Sequence, residues 1–559
     1  MVEEKTSSTE LKKESFVKKW GPMFVLSLAL AIILIDATVL NVSLSAIIKD
    51  LNTDIQSIQW VITAYSLTLA ALTITGGRLG DLFGRKRMFV LGAIIFAAGS
   101  LLASLSSNIP TLILGESIIE GFGAAMMTPA TASLLMSKYR GRDRGIAFGL
   151  WGGVAAASVA IGPLLGGYLT TNFGWRWSFR INVFVVAILV LGSLWISESK
   201  DTKERSSLDW LAVFLSSTGL LGVVFGIIES TTYGWIKAKE TFIVFGREFN
   251  FGGYSVSAVS ILIGVFLLGL FVAWERTAEK RSKTPLVSLK IFKNKQFTSG
   301  MLTTGIISLA QAGLIFSIPV FIQAVRGEDA FHTGLALLPM SLAALVTAPL
   351  GGFLGSKYLA PKRLIQIGLL ANFFGYLVLR YFLNVNATST SLIPGLILLG
   401  VGIGLVMAQI NNITLSAVSV EEAGEAAGVN NTSRQIGATL GTAIVGAVLL
   451  SAISSNISSG ISESKIIPQE LKSTINENVS NQTSNVEFGG GAKISTNIPI
   501  SIKEEVIKIS HQSITDANKE ALFYTTFVVL LGLVTSHWLP NQKDVELNED
   551  LAVKIKENE

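Results

Sequence analysis

The chain has 559 residues, of which 50% are hydrophobic and only 15% charged, with a mean hydropathy of +0.55. A soluble domain carries about 25% charged residues, so an ordinary soluble protein is excluded, and the net charge of +5 fits a basic membrane face rather than nucleic acid. With no Cys and three His, disulfides, thiolate metal sites and redox chemistry are excluded, and no resident metal or cofactor is expected.

Roughly 20 apolar residues cross a bilayer core. The sequence holds about fourteen such runs, which predicts an all-α polytopic membrane protein. Residues 1–19 are polar and the first run, 21–46, is full length, so no cleaved leader is expected. That run carries Asp36 and Asn41. The second, 57–77, ends at the joint Gly77-Arg-Leu-Gly-Asp81-Leu-Phe-Gly84-Arg85-Lys86-Arg87, which turns at once into the third, 88–107. Two glycines permit a tight turn there, and the basic cluster suits a membrane surface. The fourth run, 110–137, contains Glu116 and Glu120. The fifth, 144–170, contains Gly162-Pro163-Leu-Leu-Gly166-Gly167, where the proline removes a backbone donor and the glycines allow close helix contact. Runs 177–197, 208–228, 254–274, 297–323 and 333–356 follow. At 352–363 a faint copy of the first joint appears, with Ser356 where Asp81 stands. Runs 364–383, 391–415, 428–454 and 520–540 complete the set. The longest polar stretch, 455–519, holds the sequons at Asn456, Asn478 and Asn481, and the tail 541–559 is charged.

With the N-terminus on the cytoplasmic side, the inner segments hold 30 of the 44 Lys and Arg, as the positive-inside rule requires. Both termini are then cytoplasmic. Trp20, Trp195, Trp210, Trp274 and Trp538 fall near inner ends, and Trp60, Trp175, Trp177 and Trp235 near outer ends. The predicted organisation is a cytoplasmic segment 1–20, a six-helix half 21–200, two inserted helices 207–275, a second half 296–540 with the outer loop 455–519, and a cytoplasmic tail 541–559. Parallel repeats place a substrate site between the halves near mid-bilayer.

These residues resemble the major facilitator superfamily, and its fourteen-helix drug:proton antiporter subfamily in particular. Gly77, Leu79, Asp81, Gly84, Arg85 and Lys86 match its G-x-L-x-D-x-x-G-R-K signature. Gly162 to Gly167 is similar to its antiporter signature, and Asp36-Ala-Thr38-Val-Leu-Asn41 to the D-x-T-x-x-N element of its drug exporters. Further likeness lies in Trp175-Arg-Trp, Ile181-Asn182, Pro285-Leu-Val, Pro319 with Gln323, and Gly424 to Gly441. The resemblance covers roughly residues 20–540. It implies proton-driven export by alternating access, and a monomer in a prokaryotic cell membrane is expected; because the second half has no carboxylate inside helices 9–12, monovalent lipophilic cations or neutral compounds are the expected substrates. It assigns gating to Gly77, Asp81, Gly84, Arg85 and Lys86, with Asp81 facing the N-terminus of helix 13 near Gly428, and a leak-blocking role to Gly162, Pro163, Gly166 and Gly167. The chain departs from the family at Glu116, where an Arg is usual, at Glu120, where a Gln is usual, at Ser45 for a Pro, and at Ser158 for a Gly.

Ionisable groups inside a span mark functional sites. At 1.5 Å per residue Asp36 lies about 22 Å from the inner surface and Glu116 about 9 Å from the outer one, so the two share a depth. Burial and mutual repulsion equip such carboxylates to carry a proton. Asp36, Asn41, Glu116 and Glu120 are therefore the expected proton and substrate site, with Glu116 and Glu120 also suited to simple wetting by an outer vestibule. The second half offers Gln311, Gln409, Asn411, Asn412, Asn430 and Arg434, which suit either substrate contact or bridging between helices. No G-x-x-x-x-G-K-[ST] loop and no H-E-x-x-H element occurs, so neither an ATP-driven pump nor a metalloenzyme is expected. A dedicated exporter of a metabolite, lipid or siderophore is the alternative, and a non-transporting receptor a further one.

Overall fold

The computed structural model describes residues 16–53, 55–199, 208–244, 247–280, 285–419, 422–473 and 499–540. Within them the chain forms fourteen long helices: α1 (Phe16–Leu51), α2 (Ile55–Phe83), α3 (Arg85–Ser104), α4 (Ile109–Lys138), α5 (Gly141–Phe173), α6 (Arg176–Gly192), α7 (Trp210–Ile228), α8 (Val256–Lys280), α9 (Lys295–Arg326), α10 (Ala330–Lys357), α11 (Pro361–Phe382), α12 (Ser389–Ser416), α13 (Ala423–Glu463) and α14 (Ile500–Ser536). Among the described residues thirteen of these are long and apolar enough to cross a membrane; α5, rich in Gly and Ala around Pro163, is the remaining one. An apolar exterior goes with this. α8 turns Leu262, Ile263, Val265, Phe266 and Leu270 outward, an arrangement only lipid would solvate.

Apolar packing falls into two large clusters. One gathers Leu26, Phe89, Phe96, Phe148 and Leu189 from α1–α6, and adds Leu215, Leu220 and Phe271 from α7 and α8. The other gathers Leu314, Phe321, Leu396, Leu449 and Leu522 from α9–α14. The inserted pair α7–α8 thus shares its core with the α1–α6 bundle. It is zipped by small residues: a Cβ at Gly264 would lie 2.6 Å from Val223 N, which is backbone approach of the kind that packs helices in lipid. Between the bundles α5 runs against α10 from Gly145–Gly352 at one end to Leu164–Gly334 at the other, and α2 meets α13 at Gly77–Gly424 and Ile74–Gly428.

Three features depart from the predicted elements. α13 and α14 overrun their apolar runs, so much of 455–519 is helical where it is described. Ile453, Ile457 and Ile461 recur every fourth residue and bury against Ile502, Val506 and Ile514; the intervening Ser and Asn lower the hydropathy without breaking that stripe. Asn456 is therefore a helical residue, while Asn478 and Asn481 lie outside the described residues. The connection between α7 and α8 holds a small antiparallel hairpin, β1 (Phe242–Val244) with β2 (Arg247–Phe249), the one departure from an all-α chain among the described residues. Finally, α4 is π-helical over Ile113–Glu120.

The turn between α2 and α3 shows how the first joint folds. Gly84 sits at φ +110°, where a side chain would be strained. Glu198 closes around it and accepts from the N–H groups of Lys86 (3.0 Å) and Arg87 (3.2 Å), capping α3 from outside the helix. Glu198→Ala is expected to cost about 1 kcal/mol, the worth of a lost helix cap, read as a lowered thermal midpoint in detergent with transport retained.

Candidate functional site: a buried acidic cluster and a helix-end latch

The acidic cluster is built where α1, α2, α3, α4 and α6 converge. α3 and α4 touch backbone to backbone through Gly99 and Gly115. This seats the π turn of α4, a local widening that is frequent at functional sites, and turns both Glu116 and Glu120 inward. Asp36, Glu116 and Glu120 are 4%, 1% and 0% exposed, so none is wetted in this conformation. Asn182 of α6 knits the group together. Its Nδ2 donates within reach of Asp36 Oδ1 (2.7 Å), Ser100 Oγ (2.9 Å) and Glu120 Oε1 (3.0 Å), and Ser100 Oγ donates to the same Glu120 oxygen. The Asp36 and Glu120 carboxyls thus share one donor, the Asn182 carboxamide, which brings them side by side. Two carboxylates this close repel unless one of them takes up a proton or a cation comes between them. Glu116 stands slightly apart, accepting from Ser117 Oγ at 3.1 Å.

Two acceptors, Asp36 Oδ2 and Glu120 Oε2, and one donor, the Tyr65 hydroxyl, have no hydrogen-bond partner among the described residues. Tyr65 lies close enough for all three carboxylates to act on it. No ion pair among the described residues includes Asp36, Glu116 or Glu120. A buried carboxylate without a cation is costly, and the cluster is chemically suited to take up a proton or a cationic group. Sequence reasoning did not name Ser100, Tyr65 or Asn182 as site residues, although a carboxamide in the apolar run 177–197 was a signal. The side chain of Asn41 lies outside those described.

The latch occupies the end of the bundle where α2 turns into α3. Asp81 Oδ1 accepts from Arg85 Nη2 (2.7 Å) and Nε (3.0 Å), and Asp81 Oδ2 accepts from the Glu425 N–H (2.9 Å). Asp81 and Arg85 are each 1% exposed. The carboxylate thus meets both its own helix and the first turn of α13, where unpaired N–H groups favour negative charge. The contact falls at Glu425 rather than at Gly428, which instead packs on Ile74. Gly77 abuts the Gly424 carbonyl, and Lys86 is partly exposed beside Glu198. Nearby, Arg144 Nε donates to Asn412 Oδ1 (2.9 Å), joining α5 to α12.

The other predicted residues take structural positions. Gly162 and Gly166 face α1: a Cβ at Gly162 would collide with Thr38 Oγ1, and one at Gly166 would lie 3.1 Å from Val39. Pro163 turns the opposite way, toward Gly334 of α10, and Gly167 is buried. Gln409 donates to the Gly351 carbonyl (2.8 Å) and Asn430 to Asn411 Oδ1 (2.9 Å), so Gln409, Asn411, Asn412 and Asn430 bridge helices here. Gln311 and Arg434 are partly exposed.

At the end opposite Gly84, Trp175-Arg-Trp forms a tie. Arg176 pairs with Asp50 (2.6 Å) and donates to the Ser106 carbonyl (2.9 Å), while Trp175 Nε1 donates to Asp50 (3.2 Å). Arg176 holds the Asp50 carboxyl below its ordinary range. A carboxylate so depressed stabilises the fold above its unfolded-state value and loses that contribution as pH falls through the lowered one. The stability difference between wild type and Asp50→Asn is therefore expected to be full at neutral pH and to vanish in acid, measured by thermal melts across pH. The gain is small, because the pair is part-exposed and screened.

The Major Facilitator Superfamily model matches residues 26–442. The puromycin resistance protein pur8 of Streptomyces alboniger is 30% identical over 77% of this chain and 82% of its own length. The multidrug efflux pump LfrA of Mycolicibacterium smegmatis is 29% identical over 79% of this chain and 82% of its own. The tetracenomycin C resistance and export protein of Streptomyces glaucescens is 28% identical over 78% and 77%. Among solved structures, the human organic anion transporter MFSD10 superposes with a TM-score of 0.50 at 10% identity, covering 91% of this chain and 99% of that one, a likeness of fold.

Proposed function

The chain belongs to the major facilitator superfamily, a family of membrane transporters rather than enzymes, and from that premise we propose that it exports lipophilic cationic or neutral small molecules in exchange for protons. The names of its relatives, resistance and efflux proteins, support the export of drug-like compounds. The observation that carries the coupling is the buried group Asp36–Glu120–Glu116, which has no ion-paired cation among the described residues and in which Asp36 and Glu120 share the Asn182 donor. Such a group binds either protons or a cationic substrate, and competition between the two is antiport. The bundles 21–200 and 296–540 rock about the site, with α7 and α8 carried between them. The α2–α3 turn, on the cytoplasmic side with both termini, holds the inner face shut through Asp81 and α13. The membrane is the cell membrane, and the working unit is a monomer.

The test is proton flux in proteoliposomes on adding tetraphenylphosphonium, a lipophilic monovalent cation, with a neutral lipophilic compound in parallel. Wild type is expected to move protons against substrate; substrate movement indifferent to the pH gradient would overturn the coupling. The relative named for tetracenomycin C favours a second reading, a dedicated exporter of one metabolite. Competition among unrelated substrates decides between the two: a multidrug pump shows mutual inhibition, a dedicated one does not.

A further inference from the structure

The strap 285–294 joins α8 to α9 and opens on Pro285-Leu286-Val287, an element the transport cycle above leaves without a role. Carboxylates from two helices hold its backbone. Glu275 of α8 accepts from the Leu286 N–H (3.2 Å), Glu279 of α8 from the Leu289 N–H (2.8 Å), and Glu425 of α13 from the Ser288 N–H. The strap also has an apolar underside. Leu286, Val287 and Ile291 are buried in the cluster that holds Ala423, Ala426 and Ala427 from the first turns of α13. At its far end Asn294 caps α9 and donates to the Ala417 carbonyl at 2.6 Å.

Glu425 therefore has two separate attachments. Its main-chain N–H donates to Asp81, and its side chain holds the strap. Arg78 of α2 lies within electrostatic range of Asp81, Glu275 and Glu425. The first turn of a helix has no intrahelical partner for its N–H groups and frays unless something outside fixes it. Here Asp81 takes one of those N–H groups, while the strap holds the turn through the Glu425 side chain and is itself tied to α8 of the inserted pair.

We propose that Glu425 is a positioning residue: by anchoring the first turn of α13 to the strap it aims the N–H that Asp81 accepts from, so that the inserted pair α7–α8 sets how firmly this end of the transporter closes. The proposal rests on reading this end as a gate, but its test needs no transport. The chain has no cysteine, so Ile74→Cys would be the sole thiol. Ile74 is 8% exposed and packed on Gly428, reachable only when α2 and α13 part. Its maleimide labelling rate reports opening.

Glu425→Ala leaves the main-chain bond to Asp81 chemically possible and removes only the strap's anchor. It is expected to raise labelling about tenfold, the scale of losing a hydrogen bond to a charged group. Glu425→Gln keeps an acceptor and is expected to return labelling to within about twofold of wild type, which loss of packing alone would not do. Glu275→Ala removes the carboxylate that accepts from the Leu286 N–H; it is expected to act in the same direction and decides the matter if Glu425→Ala does not fold. Labelling raised by Asp81→Asn but unchanged by both alanine variants overturns this proposal alone. Labelling unchanged by Asp81→Asn as well overturns the gate reading beneath it.

Discussion

Asp36→Asn is expected to bring substrate-driven proton flux to background while the protein still folds and binds substrate. The carboxamide is nearly isosteric and keeps an oxygen to accept from Asn182, so the network that holds α1 to α6 survives. It removes the one ionisable group of α1 in the cluster and the carboxylate that shares the Asn182 donor with Glu120. Substrate movement that remains should be independent of pH. Glu120→Gln is expected to match it, because Glu120 is the other half of the pair. Glu116→Gln should do less, since Glu116 accepts from Ser117 of its own helix rather than from Asn182. Proton flux in proteoliposomes under an imposed pH gradient measures all three. Full coupling in Asp36→Asn and Glu120→Gln alike would remove the cluster from the mechanism.

Gly424→Ala is expected to hold the Asp81 end open and to cut turnover sharply. A Cβ there would sit 2.6 Å from the Asp81 Cγ and closer still to Oδ1, a clash relieved only if the Asp81 carboxylate swings off the α13 N–H or α2 moves away. The methyl group itself suits a helix better than glycine does, so folding should suffer little. Asp81→Asn tests the same contact less cleanly. Arg85 is 1% exposed beside it, and removing one partner of a buried pair costs about 3–5 kcal/mol. Loss of stability would then accompany loss of turnover. Gly424→Ala separates the two effects. Its expected signature is faster labelling of Ile74→Cys, an unchanged melting midpoint and slow transport. Wild-type labelling and transport in a well-folded Gly424→Ala protein would show that this contact does not govern access.

Much of the helix framework was legible because lipid imposes it. The run 110–137 became Ile109–Lys138, and 88–107 became Arg85–Ser104, since backbone that leaves water must pair with itself along the segment. The latch was half legible: an Asp and an Arg four residues apart share a helix face, but which N–H of α13 would meet Asp81 depends on tertiary packing. The cluster was legible as depth. Counting residues put Asp36 and Glu116 at one level, whereas their lateral meeting required Gly99 and Gly115 to bring α3 and α4 together. The overruns of α13 and α14 were not legible by hydropathy, because Ile457 and Ile461 bury against another helix rather than against lipid. The π turn and the hairpin leave no periodic trace in so short a stretch.

The length of α13 has a mechanical meaning. The helix starts at the Asp81 contact and continues without a proline to Ile461, where it lies against α14. That is a rod of roughly 55 Å at 1.5 Å per residue, turning as one body. A tilt of about 5° at its foot sweeps its tip through roughly 5 Å on the same length. Whatever restrains the tip, across the membrane from Asp81, works through a long lever arm on the foot, so a clamp on the protruding α13–α14 pair would slow the molecule from a distance without touching its acids.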